Sequence, residues 1–301
     1  MSNAQGTASP HLRAVLQALL VTFLWSTSWV LIKFGLKELP ALPFAGLRYM
    51  LAFLCLLPFA LRSGQLAPLR GLPAGTWLRL ILLGLLFYSA TQGAQFLSLF
   101  FLPAVTVSLL LSFTTILVAL LGIVLLGERP TATQWAGVAI YVCAVLIYFY
   151  PVSLPRAEWI GLTVAVAGVL ANSLSSILSR HVNRSGDLEP LAITVVSMGI
   201  GAGVLLGGGV AVQGWPHLEP LHWAIILWLA VVNTAFAFTL WNLTLRTLSA
   251  MESSILNNTM LFQIAVLAWV FLGERLTARQ VVGMVLAMGG TLAVQVRRKR
   301  L

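Results

Sequence analysis

The sequence predicts an all-α integral membrane protein, with ten transmembrane helices arranged as two inverted five-helix repeats around a central cavity. Three observations carry this prediction. First, the 301-residue chain is 59% hydrophobic and only 9% charged, whereas a soluble domain carries roughly 25% charged residues. Second, apolar segments long enough to cross a bilayer recur along the whole chain. Third, a twelve-residue stretch in the first half of the chain returns in the second half.

Ten apolar segments are present, each about 20 residues long, which is the length that a helix needs to cross the hydrocarbon core. They cover residues 12–34, 42–61, 77–100, 103–126, 133–150, 157–181, 190–212, 222–246, 250–272 and 278–296. Short connections rich in proline, glycine and charge separate them. The 13 prolines lie outside the segments or near their ends. We therefore expect mostly unbroken helices, because an interior proline is the usual cause of a kink.

The repeated stretch begins at Leu126 and returns 146 residues later at Leu272, with eight of its twelve positions identical. In each copy it joins the fourth span to the fifth. Because each copy holds five spans, and five is odd, the second copy must cross the membrane in the opposite direction. We expect a first repeat at residues 12–150 and an inverted second repeat at residues 157–296.

The basic residues at the span ends predict the orientation of the chain. Twelve lie on the side that holds both termini, namely Arg13, Arg62, Arg70, Arg79, Arg129, Arg180, Arg184, Arg246, Arg297, Arg298, Lys299 and Arg300. Five lie on the other side, namely Lys33, Lys37, Arg156, Arg275 and Arg279. The positive-inside rule then predicts a cell inner (cytoplasmic) membrane protein with both termini in the cytoplasm. We expect a disordered N-terminus at 1–11 and a basic tail at 297–301.

The repeated stretch has the chemistry of a helix start. A threonine followed three residues later by glutamine forms a capping box. The glycine that follows permits close helix packing, and we expect the glutamates to fix helix ends rather than to contact substrate. The structural residues of the two copies are Glu128, Thr131, Gln134 and Gly137, and Glu274, Thr277, Gln280 and Gly283.

Polar side chains inside the spans are the best indicators of a substrate site, because polar groups in lipid are costly unless they face protein or a wet cavity. Amides have four hydrogen-bonding sites and cannot satisfy them on their own helix. Hydroxyls often bond their own helix, and tryptophans often lie at the membrane interface, so packing roles remain open for both. The predicted substrate-binding residues are Trp25, Trp29, Tyr88, Gln92, Ser108, Ser112, Asn172, Ser176, Asn233, Trp241 and Asn258.

Charge is scarce inside the spans. No carboxylate lies in the middle of a span, which argues against a carboxylate proton relay. Arg48 is the one basic residue well inside the boundaries, and it either contacts an anionic group of the substrate or snorkels and caps carbonyls. No catalytic or metal-binding motif is present, so we expect no enzyme activity, no cofactor and no metal. The net charge of +10 does not indicate nucleic acid, because the bases sit singly between apolar runs.

Several motifs together resemble the drug/metabolite transporter superfamily, and within it the EamA-type transporters. They are Trp25-Ser26 in the first span, Arg48-Tyr49 in the second, and the doubled Gly-Glu-x-x-Thr-x-x-Gln-x-x-Gly that contains Glu128 and Glu274. The resemblance covers nearly the whole chain. It implies a central cavity lined by spans one to four and six to nine, with spans five and ten at the periphery. It also implies export of amino acids or related metabolites, and the aromatic amino-acid exporters are the nearest likeness.

The sequence thus favours a secondary transporter that exports small neutral or zwitterionic metabolites, above all amino acids, by alternating access. Its partners are then a small-molecule substrate and the lipid bilayer, and the oligomeric state stays open. One alternative is efflux of drugs or lipophilic cations through the same cavity. Another is a membrane scaffold or a membrane-embedded enzyme. An enzyme should break the repeat symmetry with an ionisable cluster at one membrane face, and the sequence shows none.

Overall fold

The computed structural model describes residues 10–126, 131–150, 155–245, 247–248 and 250–295, and these residues form ten helices and no β-strand. The helices are α1 (Pro10–Gly35), α2 (Ala41–Arg62), α3 (Ala74–Phe101), α4 (104–126), α5 (Ala132–Phe149), α6 (Arg156–Ser185), α7 (Pro190–Gln213), α8 (220–244), α9 (250–272) and α10 (Ala278–Gln295). A short 3₁₀ turn lies between α2 and α3. The predicted all-α class is confirmed, while the termini at 1–9 and 296–301 lie outside the described residues.

Within the described residues, nine helices are long and apolar enough to cross a membrane. They are α1 to α9. The remaining helix, α10, runs alongside α5 and is in close contact with it. The chain is therefore a multi-pass membrane protein, and a count of ten spans stays a prediction.

Irregular helical turns occur where no proline lies. α3 contains a π-helical segment at Gly84–Thr91, α8 contains one at Val231–Phe236, and α9 ends in one at Ala268–Leu272. α4 is interrupted at Phe113. The expectation of mostly unbroken helices was wrong at these points. A π turn inserts one extra residue without needing a proline, and no proline lies at the interruption of α4 either.

The π segments of α3 and α8 are related by the repeat. A shift of 146 residues carries Gly84–Thr91 onto residues 230–237, which enclose the segment in α8. The hydroxyl of Thr91 donates to the carbonyl oxygen of Leu86 at 2.8 Å, and that of Thr234 donates to the carbonyl oxygen of Leu229, also at 2.8 Å. In both cases the acceptor lies five residues earlier, which is the spacing of a π turn. A π segment therefore lies at the corresponding place in α3 and α8, although the two threonines are not counterparts under the shift.

Two contacts between α5 and α10 show how the halves are related. A Cβ placed on Gly137 would lie 2.7 Å from the carbonyl oxygen of Gly290, and one on Gly283 would lie 2.9 Å from the carbonyl oxygen of Ala144. The 146-residue shift exchanges these contacts, since it carries Gly137 onto Gly283 and Ala144 onto Gly290. Such an exchange is what a two-fold axis between two inverted repeats produces.

The apolar core lies inside the helix bundle and includes residues of both repeats. Phe44 of α2 and Phe96 of α3 are fully buried there, with ring centroids 5.1 Å apart. The outer faces carry exposed apolar side chains instead, for example Leu146, which is 66% exposed. A chain with apolar residues on both its inner and outer surfaces is stable only in lipid. The core thus holds the helices around an interior whose polar side chains are few and specific.

Candidate functional site

A cavity of about 1550 Å³ lies between the two repeats, among α2, α3, α6, α7 and α8. Its deep end includes Tyr88 and Val231, in the π segments of α3 and α8. Its mouth includes Gln65, Asn183 and Glu189, at the end of α6 and in the connections that follow α2 and α6. The mouth therefore lies on the side of the protein where α1 begins and α10 ends.

The cavity wall combines aromatic rings with hydroxyl groups. Phe87 and Phe238 supply rings from the repeat-related helices α3 and α8. Of the predicted substrate-binding residues, Tyr88 and Ser176 lie on this wall. The hydroxyl of Ser176 donates to the carbonyl oxygen of Asn172 at 2.8 Å, which leaves the lone pairs of its oxygen to accept a further hydrogen bond. The wall therefore offers apolar area together with a few polar contacts.

A buried polar cluster lies beyond Tyr88, farther from the mouth. The hydroxyl of Tyr49 donates to Oε1 of Gln92 at 2.6 Å, and the ring of Tyr49 lies 5.7 Å from that of Tyr88. Nε of Arg48 donates to Oγ1 of Thr234 at 3.3 Å. These five side chains, which we call the Arg48 cluster, are at most 8% exposed. The cluster joins α2 and α3 of the first repeat to α8 of the second.

Three members of the Arg48 cluster fall outside the predicted site. Tyr49 and Thr234 were not among the predicted substrate-binding residues. For Arg48 the sequence left two roles open, which were contact with an anionic group of the substrate, or snorkelling and capping of carbonyls. In the structure Arg48 is only 5% exposed, so its charge does not extend to water at either membrane face. The adjacent pair Arg48-Tyr49 in the middle of an apolar span is the signal in the sequence from which this cluster could have been found.

Three predicted residues lie behind the cavity wall. They are the two aromatic residues Trp25 and Trp241, and Asn233, which bonds the backbone of α1 next to Trp25. The ring of Trp25 lies 5.2 Å from Phe238 on the wall and 5.3 Å from Trp241. Nδ2 of Asn233 donates to the carbonyl oxygen of Leu24. Within the described residues, Trp25 Nε1 and Asn233 Oδ1 are buried without a hydrogen-bond partner. Trp25 is thus separated from the cavity by the ring of Phe238.

Two predicted serines and one predicted tryptophan lie elsewhere in the bundle. Trp29 is 7% exposed and belongs to the apolar core. The hydroxyl of Ser112 donates to the carbonyl oxygen of Ser108, four residues earlier on the same helix, at 2.9 Å. Ser108 is buried. In this conformation none of the three is on the cavity wall.

Two predicted amides join helices. Nδ2 of Asn172 donates to Oγ1 of Thr114 at 3.2 Å, which links α6 to α4. Nδ2 of Asn258 donates to Oε1 of Gln295 at 3.2 Å, which links α9 to α10. Both amides therefore hold neighbouring helices together in this conformation.

The hydrogen bonds of the repeated stretch fix the ends of helices. Thr131 and Gln134 form a reciprocal capping box at the start of α5, and Thr277 and Gln280 make the same two hydrogen bonds at the start of α10. Glu128 lies outside the described residues. Glu274 accepts the backbone N–H of Ala104 at 2.7 Å and that of Val105 at 3.3 Å, and so caps the start of α4 in the other repeat. The carboxylate also lies at the positive end of that helix dipole.

The end of the bundle opposite the mouth is closed by polar contacts. Nζ of Lys33, near the end of α1, donates to the carbonyl oxygens of Leu99 and Leu102 at 2.8 and 2.9 Å. Lys33 and Glu274 line one small hollow of about 520 Å³ there. The bonds of Lys33 join α1 to the end of α3, and the bonds of Glu274 join the second repeat to the start of α4. The structure is thus open on one side and closed on the other.

One group of side chains has the composition of a metal site. The potential ligand atoms of Glu38, Glu219 and His222 lie within 4.8 Å of one another. Nδ1 of His222 accepts the backbone N–H of Glu219 at 3.2 Å, and its Nε2 lies 2.8 Å from Oε2 of Glu38. Since both ring nitrogens already have partners, this histidine serves to cap α8 and to connect it to the end of α1.

The chain is similar to named proteins over most of its length. It is 26% identical over 288 residues to a "Probable amino-acid metabolite efflux pump" of Escherichia coli (strain K12), covering 91% of each protein. It is 26% identical over 294 residues to a protein with the same name in Salmonella typhimurium, again covering 91% of each. A protein chain of known crystal structure superposes with a TM-score of 0.66 at 19% identity, covering 94% of this chain and 97% of that one, and this likeness supports the fold alone.

The EamA-like transporter family matches this chain twice, at residues 12–150 and 159–295. The two matches coincide with the two halves that the exchanged glycine contacts and the paired π segments relate. A cavity between the halves, open at one end and closed at the other, is the arrangement on which alternating access depends. The doubled family match over nearly the whole chain shows that this protein belongs to the EamA-like transporter family.

Proposed function

We propose that this transporter exports small neutral or zwitterionic metabolites, above all amino acids, and catalyses no covalent reaction. The cavity between the repeats carries the proposal. Rings such as Phe87 and Phe238 suit an apolar side chain, and hydroxyls such as that of Ser176 suit the polar end of the same molecule. The names of the relatives, which are 26% identical, support this substrate class. Rocking of one repeat against the other would expose the site to the opposite side.

The orientation that we propose places the mouth of the cavity in the cytoplasm of the cell inner membrane. It rests on the twelve basic residues on the side of the termini against five on the other side. A fluorescent protein fused after Arg300 should then fluoresce, and alkaline phosphatase fused at the same point should stay inactive. Active phosphatase with a dark fluorescent fusion would contradict this orientation.

The substrate is tested by counterflow in proteoliposomes. We expect liposomes preloaded with unlabelled phenylalanine to accumulate labelled phenylalanine, and protein-free liposomes to accumulate none. Phe238→Ala should lower phenylalanine uptake more than alanine uptake, because the wall loses a ring that only the larger solute contacts. Phe262→Ala is the matched control, since Phe262 is 57% exposed on the outer surface. If ethidium is moved while no amino acid is, the drug-efflux alternative replaces this proposal.

A further inference from the structure

Arg48 carries a charge that the protein itself does not balance. Among the described residues, its guanidinium makes one hydrogen bond, from Nε to Oγ1 of Thr234 at 3.3 Å. Its Cζ lies 5.1 Å from the ring centroid of Tyr49 and 5.9 Å from that of Phe96. Rings of this kind attract a cation but leave its N–H donors unused. A guanidinium has five N–H groups, and they match a carboxylate in two parallel hydrogen bonds.

Among the residues that the structure describes, no carboxylate forms an ion pair with Arg48. The described part of the chain has two ion pairs, His11 with Glu252 and His222 with Glu38. Both lie at helix ends, and neither involves Arg48. A buried charge without a partner is costly, and a well-packed membrane protein keeps one where function uses it.

The repeat relation indicates when Arg48 meets the transport pathway. A shift of 146 residues carries Arg48 onto Thr194, which lines the present cavity. Ser197, one turn further along α7, lines it as well. The same shift carries Gln92 onto Phe238 on the wall. The paired π segments support this register in α3 and α8.

When two inverted repeats exchange conformations, the positions that line one cavity are replaced by their counterparts on the other side. Arg48 and Gln92 would therefore form the wall of the cavity that opens on the opposite face. Lys33 corresponds to Ser179, another wall residue, and its bonds to two carbonyl oxygens hold that face closed in this structure. The closed half of the pathway thus contains two basic side chains, Arg48 and Lys33. Neither of them lies on the wall of the open half.

We propose that Arg48 binds the carboxylate of the transported solute in the half of the pathway that is closed here. This rests on the proposed function and names the chemical group that the transporter selects. Thr234 bonds the guanidinium and Gln92 bonds the neighbouring Tyr49, so a hydroxyl and an amide of the same cluster are available to that carboxylate. The solute reaches them past Tyr88, whose ring forms the deep wall of the present cavity and contacts Tyr49. The preferred substrates are then free acids rather than amides or esters.

The test compares phenylalanine with phenylalaninamide as competitors of labelled phenylalanine counterflow. The wild-type protein should prefer the free acid by roughly 10- to 100-fold, as expected for hydrogen bonds to a charged group. Arg48→Gln should bring this preference close to one, and Arg48→Lys should keep part of it, because a lysine keeps the charge but not the paired donors. Arg62→Gln, at the exposed end of the same helix, is the matched control and should keep the wild-type preference.

The ratio of the two competitors does not depend on how much protein is active, so partial misfolding does not mimic the effect. If Arg48→Gln fails to fold, a second experiment leaves Arg48 in place. Gln92→Cys in a background with Cys55→Ala and Cys143→Ala should react with a membrane-impermeant thiol reagent from the periplasmic side. Phenylalanine should slow that reaction and phenylalaninamide should not. An unchanged preference in Arg48→Gln, or equal protection by both compounds, overturns the assignment.

The outcomes also separate this inference from the proposed function. If the wild type and Arg48→Gln both move amino acids with the same preference for the free acid, the function stands and the Arg48 site falls. If the wild type moves no amino acid but moves 3-phenylpropionate in an Arg48-dependent way, the Arg48 site stands and amino-acid export falls. If neither amino acids nor 3-phenylpropionate are moved, both are overturned.

Discussion

Two of the polar side chains that were predicted to bind substrate make hydrogen bonds between helices in the structure. Gln92 lies next to the cavity wall, and it also accepts the hydroxyl proton of Tyr49 in a fully buried hydrogen bond. Asn258 was expected to face substrate, and in this conformation it bonds Gln295 on the neighbouring helix. An apolar substitution at such a position removes a link between helices, so its effect on transport must be read together with its effect on stability.

The Tyr49–Gln92 bond gives the first prediction. Gln92→Met should lower the free energy of unfolding by about 1–3 kcal/mol, because the Tyr49 hydroxyl then stays buried without an acceptor. Adding Tyr49→Phe should recover part of that loss, since the unpaired hydroxyl is removed as well. Thermal unfolding of the single and double variants in detergent measures the coupling. Additive losses would show that the bond does not contribute, and the half-buried Gln95→Met on the same helix is the control.

Trp25 gives the second prediction. Its Nε1 is buried without a hydrogen bond among the described residues, so Trp25→Phe removes no bond and should keep most of the stability. Trp25→Ala removes the ring that supports Phe238 and should cost about 3–5 kcal/mol. In counterflow, Trp25→Ala should impair bulky apolar solutes most and threonine least. Equal transport of all solutes by Trp25→Ala at wild-type protein levels would show that this ring does not shape the site.

At the scale of whole helices, glycine decides where two helices approach most closely. α5 and α10 meet at Gly137 and Gly290, where an added Cβ would lie 2.7–2.8 Å from the opposing carbonyl oxygen. The capping boxes set the starts of the same two helices and thereby the register in which the glycines face each other. This pair lies away from the cavity, as the resemblance implied for the fifth and tenth spans, and it holds the two repeats together.

The third prediction uses two neighbouring glycines of α10. Gly290→Ala should destabilise the protein by about 1–3 kcal/mol, because the new methyl group overlaps the backbone of α5. Gly289→Ala should be neutral or slightly stabilising, since nothing lies within 4 Å of its Cβ position and alanine favours a helix. The two thermal unfolding temperatures in detergent are compared directly. A Gly290→Ala protein as stable as Gly289→Ala would contradict the close contact between α5 and α10.

For the whole molecule, the distribution of charge bears on what drives transport. In the described residues, the carboxylates lie at helix ends or in connections, and Glu252 pairs with His11 at 2.8 Å where α1 and α9 begin. Glu274 is engaged in capping α4. Proton-coupled transporters place a titratable carboxylate within the membrane. This distribution favours solute exchange or facilitated movement down a solute gradient.

The fourth prediction follows from that distribution. Net transport of phenylalanine down its own gradient should proceed without a pH gradient, and Glu252→Gln should retain it, because no proton has to cross with the solute. Uptake into proteoliposomes with equal internal and external pH, with and without an uncoupler, measures this. Loss of transport in Glu252→Gln alone, or collapse on adding the uncoupler, would establish proton coupling.

The helical class, the five-helix repeat and the capped starts of α5 and α10 were all determined by the sequence itself. These features depend on residues close together in the chain. Runs of apolar residues demand helices in lipid, and Thr131-x-x-Gln134 closes its own hydrogen bonds whatever surrounds it. The helix boundaries followed for the same reason, because prolines and charges end apolar runs. The doubled motif also indicated the family to which the protein belongs.

Which polar side chains face the cavity was decided only by the tertiary structure. Helical spacing places Tyr88 and Gln92 on one face of α3, but it does not say which helix lies opposite. In the structure Tyr88 lies on the cavity wall and its ring also contacts Tyr49, while Gln92, one turn further along α3, accepts a hydrogen bond from the hydroxyl of Tyr49. Asn258 bonds Gln295 because α10 packs beside α9, and the spacing of residues along the chain does not identify that neighbour. Arg48 became buried without a carboxylate because α2 lies inside the bundle, and its position along the chain did not reveal that.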